Sequence, residues 1–247
     1  LDENMNATRH AAVQKGIDLD RLPAHIAVIM DGNGRWAKAK GMLRLVGHRQ
    51  GYKTLKEVLL SASRLGVRYL TVYAFSAENW RRPQDEVKGL MTLIEEAARH
   101  ELSGLIENNV RVRIIGRIHE VPPTLQSALK SLENDTRAND GITFTLAINY
   151  GGRAEIVDAV KKIVDSGTEV SDESIAANLY SPETPEPDMI VRTAGEMRWS
   201  NFLIWQGAYA ELVVTQVAWP EFSESVLLDC VLDFQKRDRK FGGLGQS

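Results

Sequence analysis

His25-Ile26-Ala27-Val28-Ile29-Met30-Asp31-Gly32-Asn33-Gly34-Arg35-Trp36 is an apolar run that stops abruptly at an acid inside a glycine-flanked turn. The residues from His25 to Met30 read as a strand covered on both faces, because a short β-branched run bounded by turn residues suits a buried parallel strand. Gly32 and Gly34 permit backbone angles that other residues resist, and without side chains they let main-chain N–H groups approach a ligand closely. The turn reads as an anion cradle with one carboxylate, Asp31, at its lip. A carboxylate beside an anion site is electrostatically unfavourable unless a cation sits between them, so the stretch points to Mg²⁺ and a polyphosphate. A strand-to-helix turn with Asp31 as helix N-cap accounts for the same residues. The stretch alone does not separate the two.

Outward from this turn, apolar periodicity predicts strands and helices in alternation. Helices are predicted over Val46 to Leu65, Asp85 to Asn108, Pro123 to Asn134, Arg153 to Val164, Ser174 to Leu179 and Ser223 to about Arg237. Strands are predicted over Val67 to Phe75, Val110 to Ile115, Ile142 to Ile148, Met189 to Arg192 and Glu211 to Val217. This order implies an α/β fold with a mainly parallel central sheet flanked by helices. Residues 1–20 are polar, lack the apolar core of a signal peptide and read as a flexible arm, leaving 21–247 as a single catalytic domain.

Composition narrows the function. With 247 residues, 43% of them hydrophobic, the chain can bury a sizeable core. A formal net charge of −3 argues against nucleic acid, which needs a concentrated basic surface. The single cysteine, Cys230, excludes an internal disulfide and a cysteine-rich zinc site, and suits a cytoplasmic protein. No apolar stretch approaches the roughly 20 residues of a membrane-spanning helix. The P-loop, the dinucleotide fingerprint, the Gly-x-Ser-x-Gly elbow and the His-Glu-x-x-His helix are all missing.

In open α/β sheets, ligands gather where strands end at their carboxyl side. Three polar clusters fall there: Asp31 to Trp36, Ser76 to Pro83 and Arg192 to Arg198. Arg35, Arg44, Arg82, Arg192 and Arg198 lie in or beside them, and guanidinium forks match phosphate oxygens. Arg44 and His48 are four apart at a helix start, so both can face one anion. Each is equally compatible with a solvated surface side chain. Glu211 is a candidate second carboxylate near a metal, or a structural glutamate at a strand start. Trp36, Trp80 and Phe75 suit either an apolar ligand or the core.

These residues resemble a known set. His25 through Trp36, Tyr73-Ala-Phe-Ser-Ala-Glu-Asn-Trp80 with Arg82-Pro83 and Glu86, Asn149-Tyr-Gly-Gly-Arg153, Arg192 through Gln206 with Ala208 to Leu212, and Arg239-Lys-Phe-Gly-Gly243 are similar, in the same order, to the cis-prenyltransferases (Z-isoprenyl diphosphate synthases). The likeness is greatest to the bacterial members that make undecaprenyl diphosphate, and it runs from about Pro23 to Gly243. The resemblance implies cis-addition of isopentenyl diphosphate units to farnesyl diphosphate, giving a long polyprenyl carrier for cell-wall glycans. It also implies a homodimer, a hydrophobic tunnel for the growing chain, and an apolar product released towards the inner face of the cell membrane.

By the same resemblance, Asp31 holds Mg²⁺ and Glu211 helps to place it. Gly32, Asn33, Gly34, Arg35, Arg44 and His48 cradle the allylic diphosphate; Arg192, Arg198 and Ser200 grip isopentenyl diphosphate. Ser76, Asn79, Trp80 and Arg82 orient the reacting ends, with Trp36, Ala77, Glu78 and Trp199 also among the substrate-binding residues. Asp31 and Asn79 are the catalytic candidates, although a carboxamide is a very weak base, and Asp31 or a diphosphate oxygen can take the proton instead. Ala74, Leu90, Ile94 and Leu105 would line the tunnel. Ala194 departs from a glycine common in this loop. Met197 stands where some relatives have a histidine, and a thioether is a poor Mg²⁺ ligand, so it carries no role. A short-chain cis-prenyltransferase shares every diphosphate residue. A phosphatase with Asp31 as nucleophile lacks its usual second acid, since Asn33 stands there. A non-catalytic partner subunit of such enzymes loses the Asp-Gly-Asn-Gly-Arg segment that this chain retains.

Overall fold

A computed structural model of the chain describes residues 2–239. In chain order its elements are α1 (Asp2–Gln14), β1 (His25–Ile29), α2 (Asn33–Ala39), α3 (Arg44–Leu65), β2 (Tyr69–Ser76), α4 (Gln84–His100), α5 (Leu102–Glu107), β3 (Arg111–Ile115), α6 (Pro123–Asp135), β4 (Thr143–Tyr150), α7 (Gly152–Ser166), α8 (Asp172–Asn178), β5 (Met189–Arg192), β6 (Glu211–Val214) and α9 (Glu224–Gln235). The six strands follow the order β3-β4-β2-β1-β5-β6. The pairs β1/β5, β5/β6 and β3/β4 are all parallel. The predicted α/β class with a parallel sheet and flanking helices is what forms.

Chain contacts divide the fold into two compact units. The first takes residues up to Leu70, Pro187–Met197 and those from Tyr209 on; the second takes Thr71–Glu186 and Arg198–Ala208. In the first, β1 and β5 are buried at every position, which is why the His25-to-Met30 run carries no polar alternation. The register sets Ile29 beside Arg192 and Arg192 beside Val214, so both strands end at one level. Gly66, at φ 113°, closes α3 and returns the chain into β2. Cys230 of α9 is buried, and burial pushes its thiol up to about 12. In the second unit, Leu125, Leu129 and Leu132 of α6 and Val87, Leu90 and Met91 of α4 turn inward, and the two helices pack on each other.

Three expectations change. Residues 2–14 are a helix rather than a loose arm. Thr8 and Ala12, four apart, are buried on one face, Thr8 Oγ1 donates to Glu224 Oε2 at 2.9 Å, and Lys15 pairs with Asp229. That face is too narrow to stand out in a polar sequence. The helix predicted from Asp85 to Asn108 is two, meeting at Glu101, where φ −94° and ψ −6° stay right-handed and leave the apolar periodicity unbroken. β6 stops at Val214, because the carbonyls of Thr215 and Val217 accept from the amides of Gly195 and Ala194. Of the segment Arg239 to Gly243, residues 240–243 lie outside those described.

Thr136 shows how tightly the second unit is tied. Fully buried after α6, its hydroxyl donates to the Leu132 carbonyl at 2.8 Å and accepts from the Val112 amide at 3.0 Å. Thr136→Val leaves the Val112 amide unsatisfied and is expected to destabilise the protein by about 1–3 kcal/mol. Urea unfolding should show a lower midpoint with unchanged slope; a midpoint equal to the parent's would refute the role given to this hydroxyl.

Candidate active site

In the first unit, β1 ends in a turn built around Asp31. Its amide donates to Thr193 Oγ1 at 2.8 Å, and that hydroxyl donates to the Asp31 carbonyl at 2.7 Å. Asp31 Oδ1 accepts from the Gly32 amide at 2.7 Å, and Oδ2 accepts from Arg192 Nη2 at 3.0 Å. Arg35 reaches Asp31 Oδ1 at 3.6 Å and Glu196 at 3.0 Å. The N-cap of α2 is Gly32, at φ 101°, and no side chain caps this helix. Asp31 is therefore not the helix cap, and the first amides of α2 stay available to an anion.

The glycines here are set by close approach. A Cβ on Gly34 would lie 2.5 Å from Arg44 Nη1, so the Arg44 guanidinium covers the turn. A Cβ on Gly47 would lie 2.0 Å from the Asn33 carbonyl, and one on Gly51 2.2 Å from Asn33 Oδ1. Two glycines of α3 thus seat the Asn33 turn against the helix that carries Arg44 and His48. Trp36 is held by Glu221, 2.8 Å from its Nε1, with Lys40 over its ring.

The second unit carries its own polar group. After β2, the Ser76 amide donates to Asn79 Oδ1 at 3.1 Å, so the Asn79 oxygen is engaged and its NH₂ is the group left to donate. Trp80 packs edge-on against Phe75 and donates from Nε1 to Asn149 Oδ1 at 2.8 Å. Arg82 is steadied by Glu86 at 3.1 Å. Glu78 accepts from Asn201 Nδ2 at 2.8 Å. Arg198, Trp199 and Ser200 lie on a loop in which Ser200, Asn201 and Leu203 all have positive φ (48°, 63° and 43°). Each such residue costs roughly 1–3 kcal/mol and marks a loop held by its surroundings. Buried Glu155 holds its far end, accepting from Gln206 Nε2 at 3.0 Å, the Tyr180 amide at 2.9 Å and the Tyr150 hydroxyl. Burial first, and the Glu155 carboxylate second, push the Tyr150 hydroxyl far above the usual phenol range.

Asp31 offers a hard oxygen donor about a third exposed. Among the described residues no cluster of three or more His, Cys, Asp or Glu could hold a metal by itself. One carboxylate beside an anion cradle suits Mg²⁺, which keeps waters and takes phosphate oxygens rather than an all-protein cage. Glu211 is not brought to it. It opens β6 level with Met189 and Ile26, on the order of 15 Å below Asp31 at the strand rise, and accepts from Arg237 at 3.1 Å. Met197 is 79% exposed. Thr193, Asn149 and Asn201 stood inside the recognised motifs without a role; only their hydrogen bonds single them out.

The family described as "Putative undecaprenyl diphosphate synthase" matches residues 29–242. The ditrans,polycis-undecaprenyl-diphosphate synthase ((2E,6E)-farnesyl-diphosphate specific) of Lactiplantibacillus plantarum is 48% identical, covering 92% of each chain. The protein of the same name from Micrococcus luteus is 45% identical over 96% of this chain and 98% of its own. Among solved structures, lavandulyl diphosphate synthase from Lavandula x intermedia, in complex with dimethylallyl diphosphate, superposes with a TM-score of 0.86 at 34% identity. That match covers 90% of this chain and 98% of the other.

Gly47→Ala should push the Asn33 turn outward at an overpacking cost of about 1–3 kcal/mol. Calorimetric titration with inorganic diphosphate should show affinity lower by about tenfold, roughly 1.4 kcal/mol. Unchanged affinity would mean that the turn does not hold the anion.

Proposed function

The chain belongs to the cis-prenyltransferase family, and from that premise we propose that it adds isopentenyl diphosphate to farnesyl diphosphate with cis double bonds, building a polyprenyl diphosphate of undecaprenyl length. The observation that carries the reading is Asp31 in an uncapped glycine turn, ringed by Arg35 and Arg192 with Arg44 over Gly34. The turn, with Arg35, Arg44 and His48, would hold the allylic diphosphate. Arg192, Arg198 and Ser200 are assigned to isopentenyl diphosphate. Asp31 would hold Mg²⁺, which when bound neutralises charge on the departing diphosphate.

The reaction breaks the allylic carbon–oxygen bond, with its electron pair leaving on the diphosphate. The isopentenyl double bond attacks the cation-like carbon, and a proton is then lost. Arginine forks in place before the bond breaks stabilise the leaving group without reorganisation. Asn79 is assigned to orientation: its oxygen is engaged by the Ser76 amide, so it acts as a donor and not as the base. The proton goes to Asp31 or to a diphosphate oxygen. Ala74, Leu90, Ile94 and Leu105 would wall the tunnel, with Leu90 buried in the described structure. No helix among the described residues is long and apolar enough to cross a membrane. A homodimer that delivers its apolar product to the inner face of the cell membrane completes the proposal.

Incubation with Mg²⁺, farnesyl diphosphate and labelled isopentenyl diphosphate should give long products by chromatography, and Asp31→Ala should slow turnover by about 10²–10³-fold. A parent protein that elongates nothing would sink the reading. Products stopping at twenty carbons, a single addition to the fifteen-carbon primer, would favour a short-chain enzyme, a reading supported by the shared fold of lavandulyl diphosphate synthase.

Asn79→Asp separates orientation from base catalysis. An orienting donor predicts low turnover at neutral pH, recovering as pH falls through the carboxylate range near 4 and the new side chain regains a proton to donate. A base predicts the reverse limb, with turnover rising as pH increases through the same range.

A further inference from the structure

The segment Asn149-Tyr150-Gly151-Gly152-Arg153 has no part in the reaction as described so far. Within the second unit its amides converge on one residue. The Gly152 amide donates to the Asn201 carbonyl at 2.7 Å and the Arg153 amide to Asn201 Oδ1 at 2.9 Å. Asn201 Nδ2 in turn donates to Glu78 Oε1 at 2.8 Å. The two glycines lie close against this loop: a Cβ on Gly151 would lie 2.7 Å from Asn201 Nδ2, and one on Gly152 3.0 Å from Ile204 Cγ1 and 3.2 Å from the Asn201 carbonyl oxygen. Asn201 sits at φ 63°, a conformation asparagine tolerates better than most residues. Its side chain joins the Ala77–Arg81 turn, which carries Asn79 and Trp80, to the loop carrying Arg198 and Ser200.

We propose that Asn201 is a positioning residue that fixes the Asn79 turn against the Arg198–Ser200 loop, so that the orienting amide and the isopentenyl diphosphate grip keep a set separation. The inference rests on the function proposed above. Asn149 supports the same turn independently: its Oδ1 accepts from Trp80, and its Nδ2 donates to the Arg117 carbonyl at 2.9 Å and to Glu120 at 2.8 Å. The turn is thus anchored on both sides. Loss of the Asn201 bond should let Asn79 wander relative to bound isopentenyl diphosphate, which lowers kcat more than it raises KM.

The test is steady-state elongation with farnesyl and isopentenyl diphosphates. Asn201→Asp still accepts from the Arg153 amide but sets a carboxylate against Glu78, and kcat should fall at least about tenfold with KM for isopentenyl diphosphate changed less than about threefold. Adding Glu78→Gln restores one donor and one acceptor in exchanged order, and the double variant should recover at least half of the loss on a logarithmic scale. If thermal melting shows that Asn201→Asp does not fold, Asn201→Gly serves instead. It keeps the positive φ, removes both side-chain bonds, and should show the same fall. Parent-like kcat in the single variant that folds, or a double variant no faster than Asn201→Asp, overturns the inference. A parent that fails to elongate removes the proposed function itself; a parent that elongates beside an indifferent Asn201 variant removes only this positioning role.

Discussion

A guanidinium almost sealed from water needs an opposite charge, because an unpaired buried charge costs several kcal/mol. Arg192 is that group, with its side chain 4% exposed, and Asp31 Oδ2 meets it at 3.0 Å. The pairing depends on strand register. Ile29 lies beside Arg192, so the strand end that lifts Asp31 clear of the sheet is level with the end that carries the arginine. A slip of one residue would turn Arg192 to the other face and separate the pair. The glycine turn, the Arg44 cover and the Thr193 hydroxyl are arranged around this charge pair. An anion and its metal would therefore enter a site already balanced by the protein's own cations.

Much of this was legible in the residues. The buried strand at His25, the sequence of elements and the placing of polar clusters at strand ends follow from apolar period and turn chemistry, and these are local properties. Gly34 and Arg44 were named together, and the structure brings them together. Glu211 shows what residue type alone does not convey: within the chain, pairing register sets it at the opposite end of the sheet from Asp31. Thr193, Asn149 and Asn201 were illegible for a related reason. Their roles are hydrogen bonds to residues 162, 69 and 123 positions away in the chain, and no periodicity encodes such distances. The helix over residues 2–14 was hidden because only a narrow face of it is buried.

Backbone strain collects in the segments that carry the candidate site residues. Asn149, Ala194, Ser200, Asn201 and Leu203 all have positive φ, and all but one of the strained non-glycine positions among the described residues fall in these segments. Ala194 is instructive. At φ 63° it occupies a conformation in which glycine is unstrained, so the exchange for the glycine common in related loops is small in volume yet not in conformation. Its amide donates to the Val217 carbonyl at 2.8 Å and its carbonyl accepts from Arg35 Nη2 at 3.4 Å, which hold it there.

Cys230 has a practical consequence. It is the only cysteine of the chain, and its thiol is buried on α9 and raised to about 12. At neutral pH such a thiol stays protonated, whereas the thiolate is the form that reacts with maleimides and oxidants. The native sequence is therefore a silent background for thiol chemistry. Two cysteines introduced on exposed loops would carry a pair of fluorophores or spin labels with α9 left intact, so that the distance between those loops can be followed during turnover.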